Sequence, residues 1–189
     1  MASWIDIGDR CALLIIVMAG LPGTGKSTLA RLLSQRLSAV VLDKDSVRAA
    51  LFSSSDIEYS DAQDDFVVGV MLQVAEYHLK KDVDRHIVLD GRTYSKKTQV
   101  DYLIRYSREK NHELRFIQCV CSDEVARGRI ERDAISGNHL ASNRSYTLYL
   151  RLRDSADPLE VPHLTVNTDE PVEVSVDKCI EYLGGIQTP

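Results

Sequence analysis

Apolar and polar positions follow two distinct patterns along the chain. Short, almost entirely apolar runs are typical of parallel strands covered on both faces. Between them, apolar residues recur every three or four positions, as in amphipathic helices. The predicted strands cover 12–19, 39–42, 86–90, 114–120 and 162–167, and the predicted helices cover 27–37, 46–52, 62–81, 96–110, 123–134 and 171–183. Strands that alternate with helices indicate βαβ units and a parallel sheet in a three-layer α/β/α fold.

This alternation extends over nearly the whole chain and predicts one domain over 1–189. With 189 residues, 44% of them hydrophobic, the chain is long enough to bury a single core. Residues 1–10 are expected to be a loose N-terminal extension. A lid is expected at about 128–157, around the polar stretch 135–145.

Charge and composition exclude several classes of protein. The formal net charge of −5 argues against an extended nucleic-acid surface, which is usually basic, although a small basic pocket is compatible with it. The longest apolar run is shorter than the roughly 20 residues that cross a membrane, so we expect a cytoplasmic protein without membrane association. The four scattered cysteines are expected to be free thiols. Both a monomer and a homodimer are compatible with the sequence.

The first predicted strand runs into a glycine-rich segment, GLPGTGKST at 20–28, that fits the phosphate-binding pattern G-x-x-x-x-G-K-[ST]. Glycines let backbone N–H groups turn inward around phosphate oxygens, and the following helix directs its positive end at the same anion. Lys26 would bridge the β- and γ-phosphates, and Ser27 would bind Mg²⁺. We therefore predict ATP and Mg²⁺ as ligands. The predicted nucleotide-binding residues of the segment are Gly20, Gly23, Thr24, Gly25, Lys26, Ser27 and Thr28.

The phosphate loop alone leaves the reaction open, because kinases, GTPases and mechanical ATPases share it. The sequence lacks the guanine-reading Asn-Lys-x-Asp, and mechanical ATPases need a larger module. A small kinase is therefore the favoured class.

The segment LDKDSVRAALF after the second strand contains a candidate acid and base. Asp45 and Arg48 lie three positions apart, hence on one face of a short helix. Asp45 as a helix N-cap, or the pair as a surface ion bridge, would also explain them. In a parallel sheet, however, the carboxyl ends of the strands line the ligand crevice. There Asp45 could take the proton from an acceptor hydroxyl, while Arg48 positions the acceptor or the phosphoryl group.

Asp90 closes the third strand after three apolar residues. A strand-end acid can simply cap a turn, but beside a phosphate loop it is typical of the second Mg²⁺ element. Ser27 and Asp90 are therefore the predicted metal ligands.

The helix SDEVARGRIERDAISG supplies candidate lid arginines. Arg127 and Arg129 both have acidic residues four positions away, which would explain them as surface ion pairs. Arg132 has no acidic residue at these positions and is the preferred catalytic arginine, because it could neutralise charge on the γ-phosphate. Arg144 is a second candidate in the following loop.

Together, these segments and the closing PHLTVNTDEPVEVSVDKCIEYL resemble the small P-loop kinases of the AAA-type family, over about 12–184. That group is similar to bacteriophage polynucleotide 5′-kinase, chloramphenicol phosphotransferase, gluconate kinase, zeta toxin and adenylylsulfate kinase. The resemblance implies a five-stranded parallel sheet and ATP·Mg²⁺ as donor. It implies a general base at Asp45, and a lid arginine at Arg129 or Arg132. It also implies a purine border near Thr168.

The leading functional prediction is a phosphotransferase acting on a hydroxyl of a small-molecule acceptor. A nucleotide or polynucleotide 5′-kinase is one alternative, and a regulatory or toxin-type ATP-binding protein with slow hydrolysis is another. Arg92, Lys96 and Lys97 suggest an acceptor that already carries negative charge, although a solvated helix start explains them equally well.

Overall fold

A computed structural model describes residues 13–82, 85–136 and 145–184. The strands are β1 (Leu13–Ala19), β2 (Val40–Asp43), β3 (Ile87–Asp90), β4 (His112–Val120) and β5 (His163–Asn167). The helices are α1 (Lys26–Leu37), α2 (Lys44–Leu51), α3 (Asp61–Lys81), α4 (Lys97–Lys110), α5 (Asp123–Ser136), α6 (Tyr146–Asp154) and α7 (Val172–Tyr182), with a 3₁₀ turn at Ser54–Asp56.

All five strands are parallel and lie in the order β2-β3-β1-β4-β5. β1 is central, so both of its faces are covered, which explains its unbroken apolar run. Asp43 and Asp90 are register partners at the ends of β2 and β3. The phosphate loop follows β1 at the same edge of the sheet. This edge therefore collects the polar strand ends, as expected for a ligand crevice.

Helices cover the two faces of the sheet and make the predicted three layers. Ile15 and Val17 of β1 pack in one apolar cluster with α3 and α4. Ile16 and Met18 face the opposite way and pack in a second cluster with α1 and α7. A third, smaller cluster joins α5 and α6 to Leu21 of the phosphate loop. The P-loop α/β fold predicted from the sequence is confirmed.

Apart from shifts of a few residues at element ends, the structure differs from the predicted elements in two places. The helical spacing of apolar residues in 62–81 predicts a buried stripe that includes Phe66 and Val74. In α3 these two residues are exposed while Val68, Leu72 and Ala75 are buried, so the buried face is rotated. Helix α6 was not predicted at all.

Several predicted features lie wholly or partly outside the described residues. These are the extension at 1–10, the middle of the lid at 137–144, and Arg144. Within the residues that the structure describes, no helix is long and apolar enough to cross a membrane.

Candidate active site

The phosphate loop curls from the end of β1 into α1. The N–H of Gly20 donates to Thr93 O at 2.9 Å, which ties the loop to the segment after β3. Lys26 Nζ donates to Leu21 O at 2.8 Å, and the Thr24 hydroxyl donates to the same carbonyl at 2.7 Å. Helix α1 begins at Lys26 without a side-chain cap, so its first N–H groups point toward the loop and can bind an anion.

Gly23 shows why the loop needs glycine. Its φ is +82°, in the left-handed region, and a Cβ there would lie 2.8 Å from the carbonyl oxygen of Ala126 in α5. Only glycine combines this conformation with so close an approach. Helix α5 therefore packs directly against the phosphate loop.

A cavity of about 900 Å³ runs along this edge of the sheet. The predicted nucleotide residues that line it are Gly23, Gly25, Lys26, Ser27, Thr28, Arg129 and Thr168. Gly20 and Thr24 are not among the lining residues, and Thr24 is buried. These two residues support the loop from behind, through the hydrogen bonds given above.

Arg129 and Thr168 close the loop from the side of α5 and β5. Arg129 Nη1 donates to Gly23 O at 3.2 Å and to Thr168 Oγ1 at 2.9 Å, and Nη2 donates to Thr168 O at 2.7 Å. The Thr168 hydroxyl donates in turn to Thr24 O at 2.9 Å. The Arg129 guanidinium is thus held at the edge of the loop, within the cavity, by acceptors from two segments: the phosphate loop and the residues after β5.

Arg132, the arginine preferred from the sequence, lies elsewhere. Its side chain is exposed, its Nε donates to Gly128 O at 3.1 Å, and it is not among the residues that line the cavity. The geometry therefore favours Arg129. Arg127 pairs with Glu131 at 2.7 Å, as its spacing predicted.

The start of α2 brings the candidate base to the cavity. The N-cap of α2 is Asp43, whose carboxylate accepts from the N–H of Ser46 at 2.7 Å. The N-cap interpretation of Asp45 is therefore wrong, because the helix begins two residues earlier than predicted. Asp45 lies in the first turn, lines the cavity, and accepts from Arg48 Nη1 at 2.8 Å.

The surface-bridge interpretation of this pair is also wrong. The side chain of Arg48 is only 2% exposed, and it pairs on its other side with Asp64 of α3. Lys44 Nζ donates to the second oxygen of Asp64 at 2.8 Å and lies 3.9 Å from Asp45 Oδ1. Burial lowers the pKa of the Lys44 ammonium to about 8, against the opposing attraction of Asp45.

Neither Lys44 nor Asp64 was singled out from the sequence. Lys44 reads as an ordinary helix-start residue. Asp64 reads as one of several acids in the first turn of α3, where acids are favoured by the helix dipole. Only the packing of α3 against α2 brings Asp64 to the cavity.

Asp90 fits a metal site better than a turn cap. It is 3% exposed, and within the part of the chain that the structure describes its Oδ1 is buried and accepts no hydrogen bond. A buried carboxylate oxygen without a donor is suited to a cation or to water bound to one. Ser27, at the start of α1, lines the cavity; Asp90 itself does not, but the next residue, Gly91, does. These oxygens fit Mg²⁺, which binds proteins through few side chains together with phosphates.

The three basic residues that suggested an anionic acceptor are all engaged with other groups of the protein. Arg92 is 3% exposed, does not line the cavity, and pairs with Asp65 at 2.6 Å. Lys97 pairs with Glu160 at 3.2 Å, outside the cavity. Lys96 lines the cavity, but its Nζ donates to Ser155 O at 2.9 Å. The geometry therefore gives the anionic-acceptor hypothesis little support.

The fold and the phosphate loop define a P-loop nucleotide-binding protein, and comparison with known proteins agrees. The profile of a family described as AAA domain matches residues 15–143, and the chain belongs to this family. Comparison with curated protein sequences finds no significant match.

Solved structures share the fold at low sequence identity. A candidate kinase from Chloroflexus aurantiacus is 21% identical, with a TM-score of 0.73, over 94% of this chain and 100% of that one. An APS kinase from Mycobacterium tuberculosis, in complex with AMPPNP and APS, is 19% identical, with a TM-score of 0.67, over 91% and 98%. A gluconokinase from Sinorhizobium meliloti is 18% identical, with a TM-score of 0.63, over 90% and 91%.

Proposed function

We propose that the protein is an ATP-dependent phosphotransferase that moves the γ-phosphoryl group of ATP to a hydroxyl of a small-molecule acceptor. One observation carries the proposal: the phosphate loop and the carboxylate of Asp45 line the same cavity. A donor site and a proton acceptor that share one cavity suit direct transfer between two bound molecules.

The donor side of the cavity would be made by the loop and α5. Backbone N–H groups of the loop, with Lys26, would bind the phosphates, and Arg129 would add positive charge near the transferred group. Ser27 and Asp90 would hold Mg²⁺, which supplies neutralisation of the phosphate charge when bound. Thr168 borders the cavity beside Arg129 and is proposed as part of the nucleotide site.

The acceptor side would be made by α2. A carboxylate oxygen of Asp45 would accept the proton of the acceptor hydroxyl as the oxygen of that hydroxyl attacks the γ-phosphorus. The bond from the γ-phosphorus to the β,γ-bridging oxygen breaks, and ADP leaves with that electron pair. Arg48 would hold the carboxylate in place and balance charge next to the transferred group.

The names of the structural neighbours support a kinase. They include a gluconokinase, an APS kinase and a sugar kinase from Janibacter. At identities of 16–19% the structural likeness itself shows only the fold, so the reaction and the acceptor are inferred from the cavity, with these names as secondary support.

The test is ATP consumption with Mg²⁺, measured alone and with a panel of sugars, nucleosides, nucleotides, aminoglycosides and phosphorylated metabolites. We expect one compound class to stimulate turnover, and we expect Lys26→Ala and Asp45→Asn each to reduce that turnover by about 100-fold or more. Asp101→Asn, an exposed acid of α4 that does not line the cavity, is the matched control.

The outcomes separate the proposed reaction from its alternatives. A phosphate acceptor needs no general base, so stimulation by nucleotides that survives Asp45→Asn would replace a hydroxyl kinase with a nucleotide kinase. ATP turnover that no compound stimulates would refute the acceptor and favour a regulatory ATP-binding protein.

A further inference from the structure

Four side chains on the acceptor side of the cavity form a closed ring of alternating charge. Asp45 binds Arg48, Arg48 binds Asp64, Asp64 binds Lys44, and Lys44 lies 3.9 Å from Asp45. All four line the cavity. Lys44, Asp45 and Arg48 belong to α2, whereas Asp64 comes from α3, so one residue of a second helix completes the ring.

Asp64 is the central member, because each of its two oxygens binds a different cation. Oδ1 accepts from Arg48 Nη2, and Oδ2 accepts from Lys44 Nζ at 2.8 Å. The side chains of Arg48 and Lys44 are 2% and 10% exposed. Buried cations need a close anionic partner. Among the described residues, Asp45 is the other acid within 4 Å of both, so loss of Asp64 would leave both cations next to Asp45.

The ring engages only one of the two carboxylate oxygens of Asp45. Arg48 donates to Oδ1 of Asp45, and Lys44 approaches the same oxygen. The other oxygen, Oδ2, takes no hydrogen bond from the ring. Arg48 also lies over the aromatic side chain of Tyr59, with 5.1 Å between the guanidinium carbon and the centroid of the phenol group. This cation–π contact further restrains Arg48. A fixed Arg48 thus fixes the orientation of the Asp45 carboxylate.

We infer that Asp64 is a positioning residue that holds Arg48 and Lys44 away from the second oxygen of Asp45 and leaves that oxygen open to the acceptor hydroxyl. The inference rests on the proposed function in its assignment of Asp45 as the base. The ring of four charged side chains is a property of the folded protein, so whether Asp64 holds Arg48 can be tested without an acceptor.

Asp65 provides a matched control on the same helix. Asp65 follows Asp64 directly and, like it, pairs with a buried arginine, Arg92. Unlike Asp64 and Arg48, neither Asp65 nor Arg92 lines the cavity. Asp64→Asn and Asp65→Asn therefore each remove one acid–arginine pair. Asp64→Glu keeps the charge and tests rescue.

The first measurement uses ¹⁵N NMR of the full chain, bound to Mg·AMPPNP, to follow rotation of the Arg48 guanidinium. The signals that disappear in Arg48→Lys are assigned to Arg48. Two carboxylates that bind opposite Nη atoms should hinder rotation and give separate Nη signals in the wild type. We expect Asp64→Asn to merge these signals, and Asp65→Asn to leave them separate. Separate signals in Asp64→Asn would overturn the inference, whether or not an acceptor exists.

The second measurement uses the acceptor compound that stimulates ATP consumption most strongly. We expect Asp64→Asn to lower kcat by about 100-fold, as for a misplaced catalytic group, while KM for ATP stays within about twofold. Asp64→Glu should recover part of the loss. In the Asp45→Asn background, Asp64→Asn should add no further loss, because it acts through Asp45. A multiplicative loss in the double variant would overturn the positioning role.

Failure of the proposed function and failure of this inference give different results. If no acceptor stimulates turnover, the proposed function fails, and the guanidinium signals still decide whether Asp64 holds Arg48. If an acceptor is found and Asp45→Asn is inactive while Asp64→Asn is fully active, the kinase stands and the inference fails.

Discussion

Substitution of Gly23 by alanine should destabilise the protein through two separate effects. The first is the left-handed backbone conformation at φ +82°, which disfavours alanine by about 1 kcal/mol. The second is the contact of the new Cβ with Ala126 O at 2.8 Å and Ile130 Cγ1 at 3.1 Å, because α5 or the loop must move. Overpacking of this kind costs about 2 kcal/mol, so the total is about 3 kcal/mol.

Gly184→Ala separates the two effects. Gly184 also has a positive φ, +86°, but no heavy atom that would contact its Cβ lies within 4 Å. It should therefore show the backbone effect alone, about 1 kcal/mol.

Thermal unfolding followed by circular dichroism measures both variants. For a chain of this size the expected decrease in Tm is about 6–12 °C for Gly23→Ala and about 2–4 °C for Gly184→Ala. Titration with ADP should also show weaker binding to Gly23→Ala, because the loop is displaced from its phosphate-binding shape. Equal Tm values for the two variants would refute the steric effect, and with it the close packing of α5 on the loop.

Two further predictions concern charged side chains. Arg129→Ala should reduce ADP affinity and ATP turnover by at least about tenfold, whereas Arg132→Ala should change both by less than twofold, as measured by calorimetry and coupled assay; the reverse order would restore the preference for Arg132. Burial of Glu76 favours its neutral form, but hydrogen bonds from His112 and Tyr106 outweigh this and hold its pKa below the ordinary value of a glutamate. Its stabilising effect is therefore present above the unfolded pKa and lost as the pH falls through the folded pKa. The stability difference between the wild type and Glu76→Gln should therefore shrink below about pH 4.5 in urea titrations, and a constant difference between pH 6 and 3 would contradict this.

The strands and most helices could be predicted because their signals are local. An apolar run such as β1 indicates a strand covered on both faces, and the phosphate loop marks where it ends. Helix α6 gives a different signal. Its three leucines, at 148, 150 and 152, recur at every second position, a period that does not indicate a helix. Its packing on α5, through Tyr149, overrides that pattern.

The candidate site could be predicted only as far as its residues are close in sequence. The spacing of Asp45 and Arg48 indicates a pair, and the pair is present. The preference for Arg132 assumed that an acid four positions away explains Arg129. In the fold, Arg129 instead binds Gly23 and Thr168, which are 106 and 39 residues away along the chain. No spacing rule within one helix can identify such partners.

The contacts of Arg129 also bear on how the expected lid could move. A lid that begins at about 128 includes Arg129, which is bonded to the phosphate loop and to the segment after β5. Ile130, one residue later, packs in the cluster that contains Leu21 of the loop. Motion of the whole of α5 would break these contacts, and it would remove a positive charge from the site where phosphate is proposed to bind. A lid that opens while the loop keeps its shape must therefore bend beyond Ile130, leaving the first two turns of α5 as part of the nucleotide site.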